Sequence, residues 1–424
     1  MTLLTLFVLF IVLIFIQVPV AFAMGISSLV ALLIMGKPSL IIVQNMFAAV
    51  DSFPLMAIPF FILAGELMNN GGITKRIVNF SRSIVGFIKG GLAHVNIVAS
   101  MFFAGISGSA TADASALGSM LIPMMEEDGY SKEFSVAVTA TSSTIGPIIP
   151  PSIMMVMYGV IANVSIGKLF LGGFIPGVSV GLALMVMAYI ISVRKGYGAD
   201  TKLSLRAIVL NFKKAALAMV MPFIIIGGVL SGVFTATEAG VIATVYALIV
   251  SFFVYKTISV KDLPRIFINS AVLTSVCLIV IASASIFGRI LAIEKFPMMV
   301  RTLLLSFETS PVMVELLIII FILLLGLFIE GIPVLIIFAP IFIPVIANLG
   351  LDLVHFGVIF NMAILIGSVT PPVGILLYIC CNIADIKVSR ASKIIWPFVG
   401  MMMLVMFLCL FFPPLVTFIP SLMD

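Results

Sequence analysis

Across 424 residues the chain is 62% hydrophobic and only 9% charged, with a net charge of +5 and a mean hydropathy of +1.35. A soluble domain carries roughly 25% charged residues, so this composition excludes a water-soluble fold. The basic residues are dispersed over short loops and do not form the patch a nucleic-acid partner requires.

Apolar runs long enough to cross roughly 30 Å of hydrocarbon recur along the chain without the alternation of barrel strands, which predicts an all-α polytopic membrane protein. In chain order, the first half is expected to span at about residues 2–17, 19–35 and 52–69. A basic arm follows over about 72–88, then a stretch of about 90–125 with a polar centre, an interrupted helix over about 131–163 and a span at about 169–193. The second half repeats this order at about 215–231, 235–255, 268–291, 311–347, 353–382 (interrupted) and 394–418. The first apolar run has no basic segment before it and continues past Pro19, so it reads as mature structure and not as a signal peptide. Cys277, Cys380, Cys381 and Cys409 all lie inside apolar runs and read as buried thiols.

Shifting the chain over itself by 221 residues pairs Gly105 with Gly326, Ile122 with Ile343, Pro123 with Pro344, Gly129 with Gly350, Ile145 with Ile366 and Gly146 with Gly367. Pro150 and Pro151 then fall on Pro371 and Pro372. Six of these eight identities are Gly or Pro, the residues that fix backbone shape. The pattern predicts a duplicated fold with repeats at 1–200 and 201–424.

By length alone, 90–125 and 311–347 could each be one long crossing helix or a re-entrant hairpin. Charge placement decides between them. With two hairpins each half crosses five times, and the second half is inverted relative to the first. Lys75, Arg76, Arg82, Lys89, Arg194, Lys195, Lys202, Arg206, Lys213, Lys214, Lys256, Lys261, Arg265, Lys387, Arg390 and Lys393 then all face the cytoplasm. Both termini are expected on the periplasmic side. Lys295 and Arg301 run against the rule, since neighbouring Glu294 and Glu308 count for little in it.

The centre of the first hairpin, Gly105-Ile106-Ser107-Gly108-Ser109-Ala110-Thr111-Ala112-Asp113, is too polar and glycine-rich for lipid contact. A turn at the midplane leaves backbone groups without helical partners, and these need a ligand or protein to satisfy them. The next segment, Thr141-Ser142-Ser143-Thr144-Ile145-Gly146-Pro147-Ile148-Ile149-Pro150-Pro151, must break, because three prolines remove amide donors. Freed carbonyls at that break, and at Gly367-Ser368-Val369-Thr370-Pro371-Pro372, suit a hard monovalent cation, and half-helix N-termini suit a carboxylate. Ser107, Ser109, Thr111 and Asp113, with Thr141, Ser142, Ser143 and Thr144, are the expected substrate contacts. The second tip, Gly326-Leu327-Phe328-Ile329-Glu330-Gly331, lacks the serines, so the halves should differ in role. Asp113 and Glu330 are ionisable groups at membrane depth. No transition-metal spacing, nucleophile elbow or phosphate loop occurs, so the residues give no support to an enzyme or an organic cofactor.

The tip sequence, Gly146-Pro147-Ile148-Ile149-Pro150-Pro151-Ser152, Thr235-Ala236-Thr237-Glu238-Ala239-Gly240 and Pro59-Phe60-Phe61-Ile62-Leu63-Ala64-Gly65 together resemble the large membrane subunit of TRAP transporters. The resemblance covers essentially the whole chain. It implies a bacterial inner-membrane carrier driven by sodium ions, a small four-helix membrane subunit and a periplasmic substrate-binding protein as partners, and an elevator mechanism. Sodium sites implied by the resemblance lie near Ser107, Gly146 and Ile149 in the first half, and near Gly326, Gly367 and Thr370 in the second. Family substrates are organic acids, with sialic acid ahead of C4-dicarboxylates as the expectation for this chain. The residues alone leave open a standalone divalent-anion/sodium symporter that needs no binding protein, and a channel or structural subunit.

Overall fold

The computed structural model describes residues 1–199, 203–305 and 310–423. Lys202 and Glu308 lie outside the described residues, as does the side chain of Arg301. The first half runs α1 (Thr2–Phe15), α2 (Val20–Ile34), α3 (Leu40–Val50), α4 (Ala57–Asn70), α5 (Ile73–Val85), α6 (Gly91–Ser107), α7 (Ala110–Glu127), α8 (Lys132–Ser143), α9 (Ile153–Ala162) and α10 (Ile166–Lys195). The second runs α11 (Leu205–Leu230), α12 (Ala236–Ile249), α13 (Leu263–Ile293), α14 (Phe296–Leu305), α15 (Pro311–Gly326), α16 (Gly331–Asn348), α17 (Leu353–Val369), α18 (Ile375–Ala384), α19 (Val388–Phe411) and α20 (Pro414–Thr417). Among the described residues seven helical segments are long and apolar enough to cross a bilayer, with shorter apolar helices beside them.

The starts of α15 to α19 fall within one residue of the starts of α6 to α10 shifted by 221. In both halves the Pro-Pro peptide bond, Pro150-Pro151 and Pro371-Pro372, is cis. Packing between the halves is reciprocal. Helix α7 packs on α18 while α16 packs on α9; α8 packs on α19 while α10 packs on α17; α4 packs on α12 while α13 packs on α2.

One difference was not expected from the sequence. The first half breaks into α3 and α4, separated by a 3-10 turn at Phe53–Met56 with Pro54 at its start, whereas α13 runs unbroken through the equivalent positions. Pro54 removes an amide donor and obstructs the preceding turn, and its counterpart in α13 is Ser275.

Hydroxyl groups fasten α12 and the turn that follows it to α4 and the turn that precedes it. Thr237 donates to the Phe53 carbonyl at 3.0 Å, Thr244 to Phe60 at 2.8 Å and Ser251 to Leu67 at 3.2 Å. Each step advances seven residues on both chain segments, so the helices run parallel with one hydroxyl contact every two turns. Small residues let them approach: a Cβ placed on Gly240 would stand 3.2 Å from Phe60 Cβ.

Candidate transport cavity

The first hairpin turns where α6 ends at Ser107 and α7 restarts at Ala110. Gly108 makes the turn in the left-handed region (φ +59°), where a side chain would also collide with the Pro151 carbonyl of the neighbouring break. Ser109 caps α7, accepting the Ala112 amide, and Ser152 caps α9, accepting the Met155 amide at 3.2 Å. Tip and break therefore both restart helix with a serine, which is the local reason the sequence folds this way. In the second half Glu330 stands before α16 with no side-chain cap, and Gly374 in the left-handed region precedes α18.

Between the two tips lies a cavity of about 400 Å³. Ser107, Ser109, Thr111 and Ser115 line one side, and Glu330, Ile332 and Pro333 the other. The remaining wall comes from α4, through Gly65, Glu66 and Asn69, and from α13, through Val276 and Cys277. A smaller adjoining space of about 70 Å³ reaches Met154 and Ser368. Contact between tip and α4 is close: a Cβ on Gly65 would stand 3.4 Å from the Ile106 carbonyl oxygen and 3.5 Å from Ser107 Cα.

Behind the tip, Asp113 is fully buried. Ser107 Oγ donates to its Oδ1, while Oδ2 has no hydrogen-bond partner and lies against Gly146. Ser107, Asp113 and Gly146 thus form one cluster at the junction of tip and break. Ile149 sits on the same break, its amide donating to the Ile145 carbonyl at 2.9 Å. In the second half Gly326 and Gly367 face each other, and Thr370 Oγ1 donates to the Ile366 carbonyl at 2.6 Å.

The hydroxyls of Thr141, Ser142, Ser143 and Thr144 are placed elsewhere. All four residues are buried and none lines the cavity. Thr141 donates to Ala137, Ser143 to Ala140 and Thr144 to Thr141, each to a carbonyl of its own helix. Ser142 joins a buried network in which Asn96 donates to Thr139 Oγ1 at 2.6 Å, Ser142 to Asn96 Oδ1 at 3.2 Å and Ser100 to Ser142 at 3.0 Å. That network ties α6 to α8. Between the corresponding helices of the second half, His355 Nδ1 on α17 lies 3.3 Å from Glu315 Oε1 on α15, with both residues buried.

A family model described as the DctM component of the tripartite ATP-independent periplasmic transporter matches residues 7–415. The chain belongs to the DctM family. Its relatives include the sialic acid TRAP transporter large permease protein SiaM of Vibrio cholerae, 39% identical over 97% of this chain and 96% of the relative. The sialic acid TRAP transporter permease protein SiaT of Haemophilus influenzae is 40% identical over 90% of this chain, which spans 62% of that longer protein. A C4-dicarboxylate TRAP transporter large permease protein DctM of Pseudomonas aeruginosa is 36% identical over 94% of this chain and 92% of the relative. Among solved structures, the YdaH transporter of Alcanivorax borkumensis superposes with a TM-score of 0.65 at 13% identity over 87% of this chain and 86% of that one. That likeness shows the fold alone.

As a DctM-family member the chain is a multi-pass transporter component and not an enzyme. The cavity wall on α4 and α13 was not read from the sequence. The polar run Glu66, Asn69 and Asn70 at the end of an apolar helix was the available signal. Leu273, Val276 and Val280 on α13 gave none, because a helix apolar on every face does not reveal which side meets a cavity.

Proposed function

We propose that this DctM-family chain is the permease of a sodium-driven, binding-protein-dependent importer of a small organic carboxylate, bound in the cavity between the two hairpin tips. The observation that carries this reading is a cavity onto which the N-terminal ends of α7 and α16 and the hydroxyls of Ser107, Ser109 and Thr111 converge. Its lining holds Glu66 and Glu330 and, among the described residues, no lysine, arginine or histidine. A carboxylate entering such a space needs positive charge, which the N-terminal ends of α7 and α16 supply in part. Bound sodium supplies the rest. The orphaned Oδ2 of buried Asp113, beside Ser107 and Gly146, is the kind of group a cation satisfies, since an isolated buried carboxylate costs several kcal/mol. Ile149 belongs to that first site, and Gly326, Gly367 and Thr370 to a second.

The reciprocal packing of the halves supports an inverted repeat, with both termini periplasmic in the inner membrane. The hairpins and broken helices pack on one another and meet α4 and α13 across the cavity, which supports an elevator in which they move against those helices. The names of the relatives favour sialic acid first and C4-dicarboxylates next. In this reading a small membrane subunit and a periplasmic binding protein complete the assembly.

The test is competition uptake in proteoliposomes, offering labelled sialic acid against unlabelled succinate and isethionate, with the Ser107→Ala/Ser109→Ala variant alongside. Preferential uptake of one carboxylate, weakened by the double substitution while the protein stays folded, is the expected result. Undiminished uptake by the variant would remove the tip from the binding site.

A further inference from the structure

Away from the transport cavity, a second cavity of about 260 Å³ opens where the C-terminal end of α10 meets the N-terminal ends of α8 and α19. Arg194 and Lys195 from the last turn of α10 and Lys393 from α19 converge on it. Ser131 and Tyr197 add hydroxyl groups. No carboxylate lines it among the described residues. Two acids at the ends of adjoining helices have cations of their own: Glu133 is held by Arg390 at 2.6 Å and Glu126 by Lys132 at 3.6 Å.

The start of α8 adds to this positive field. Ser131 occupies the N-cap position but makes no capping bond. Its Oγ instead accepts the Tyr197 hydroxyl at 3.2 Å, and its amide donates to the same Tyr197 oxygen at 3.1 Å. The first-turn amides of α8 are therefore left without a side-chain cap, at the positive end of the helix dipole. The other wall of the cavity is apolar, formed by Ile191 and Ile394.

Cations in the last turn of α10 would complement that helix's dipole on their own. That alone does not bring Lys393 from a different helix to the same hollow, nor build an apolar wall beside it. We propose that this pocket holds the phosphodiester headgroup of an anionic phospholipid, with its acyl chains along Ile191 and Ile394. A free phosphate shares the headgroup chemistry but has no use for the apolar wall.

Trp396 makes the proposal testable. It is the chain's only tryptophan, it is half exposed, and it adjoins Pro397 in the cavity wall. The full chain is placed in phosphatidylcholine nanodiscs with rising fractions of brominated phosphatidylglycerol or brominated phosphatidylcholine, and quenching of Trp396 fluorescence is read. The expected result is saturable quenching by phosphatidylglycerol at a fraction about tenfold lower than by phosphatidylcholine. The Arg194→Gln/Lys195→Gln/Lys393→Gln variant should lose that preference, and inorganic phosphate at millimolar concentration should leave it unchanged. Should the triple variant fail to fold, Lys393→Gln alone reads the same loss in part. Equal quenching by both lipids, a preference that survives the substitutions, or displacement by inorganic phosphate would each overturn the proposal.

Discussion

Gly326 and Gly367 meet backbone to backbone: a Cβ on Gly367 would stand 2.7 Å from Gly326 Cα, and one on Gly326 would stand 2.8 Å from the Ile364 carbonyl oxygen. The second tip is thus seated directly on the break of α17. Gly367→Ala should force the two apart by several tenths of an ångström, displacing the carbonyls assigned to the second sodium site. Uptake should fall at least about tenfold while circular dichroism stays that of the parent. Parental uptake would show that this contact does not set the site.

Asp113→Asn keeps the shape of the buried side chain and the bond from Ser107 but removes the charge. If Oδ2 faces a coupling ion, the sodium concentration for half-maximal uptake should rise about tenfold or more, equivalent to about 1.4 kcal/mol. A variant with reduced protein stability and the parental sodium response would instead assign Asp113 a structural role at the tip.

Glu315 and His355 bring α15 and α17 together in a buried contact. Nε2 of His355 lies 3.0 Å from the Cys409 carbonyl, which only accepts, so Nε2 carries hydrogen. Nδ1 then faces Glu315, 3.3 Å from Oε1. His355→Ala should cost about 3–5 kcal/mol by stranding a buried carboxylate. Adding Glu315→Leu should recover most of that loss in thermal unfolding; no recovery would mean the pair is not coupled.

Thr244→Val removes one hydroxyl from the α4–α12 seam with little change in shape. Hydrogen bonds between membrane helices average about 0.6 kcal/mol, so a drop of a few degrees or less in the unfolding midpoint is expected, with uptake unchanged. A large loss of uptake would show that the seam moves during transport.

Backbone-determining residues made much of this molecule legible in its sequence. Gly108 and the prolines at 147, 150 and 151 marked the first turn and break, and the offset that pairs Gly146 with Gly367 anticipated the matching order of α6–α10 and α15–α19. Rotational phase was not legible. Thr141 to Thr144 looked like ligands because hydroxyls in an apolar helix are conspicuous, yet a hydroxyl can also bond the carbonyl three or four residues back, and the structure places them so. Pro54 was visible as a residue, but its consequence, the separate helix α3, depends on where the preceding chain packs.

Sodium-gradient uptake tests the central claim most directly. Proteoliposomes holding this chain with its small membrane partner are given labelled sialic acid, with and without an inward sodium gradient and with and without the periplasmic binding protein. Accumulation that needs both the gradient and the binding protein is the predicted result. Accumulation that persists without sodium would contradict ion coupling, and sodium-driven accumulation without the binding protein would make the chain a standalone symporter.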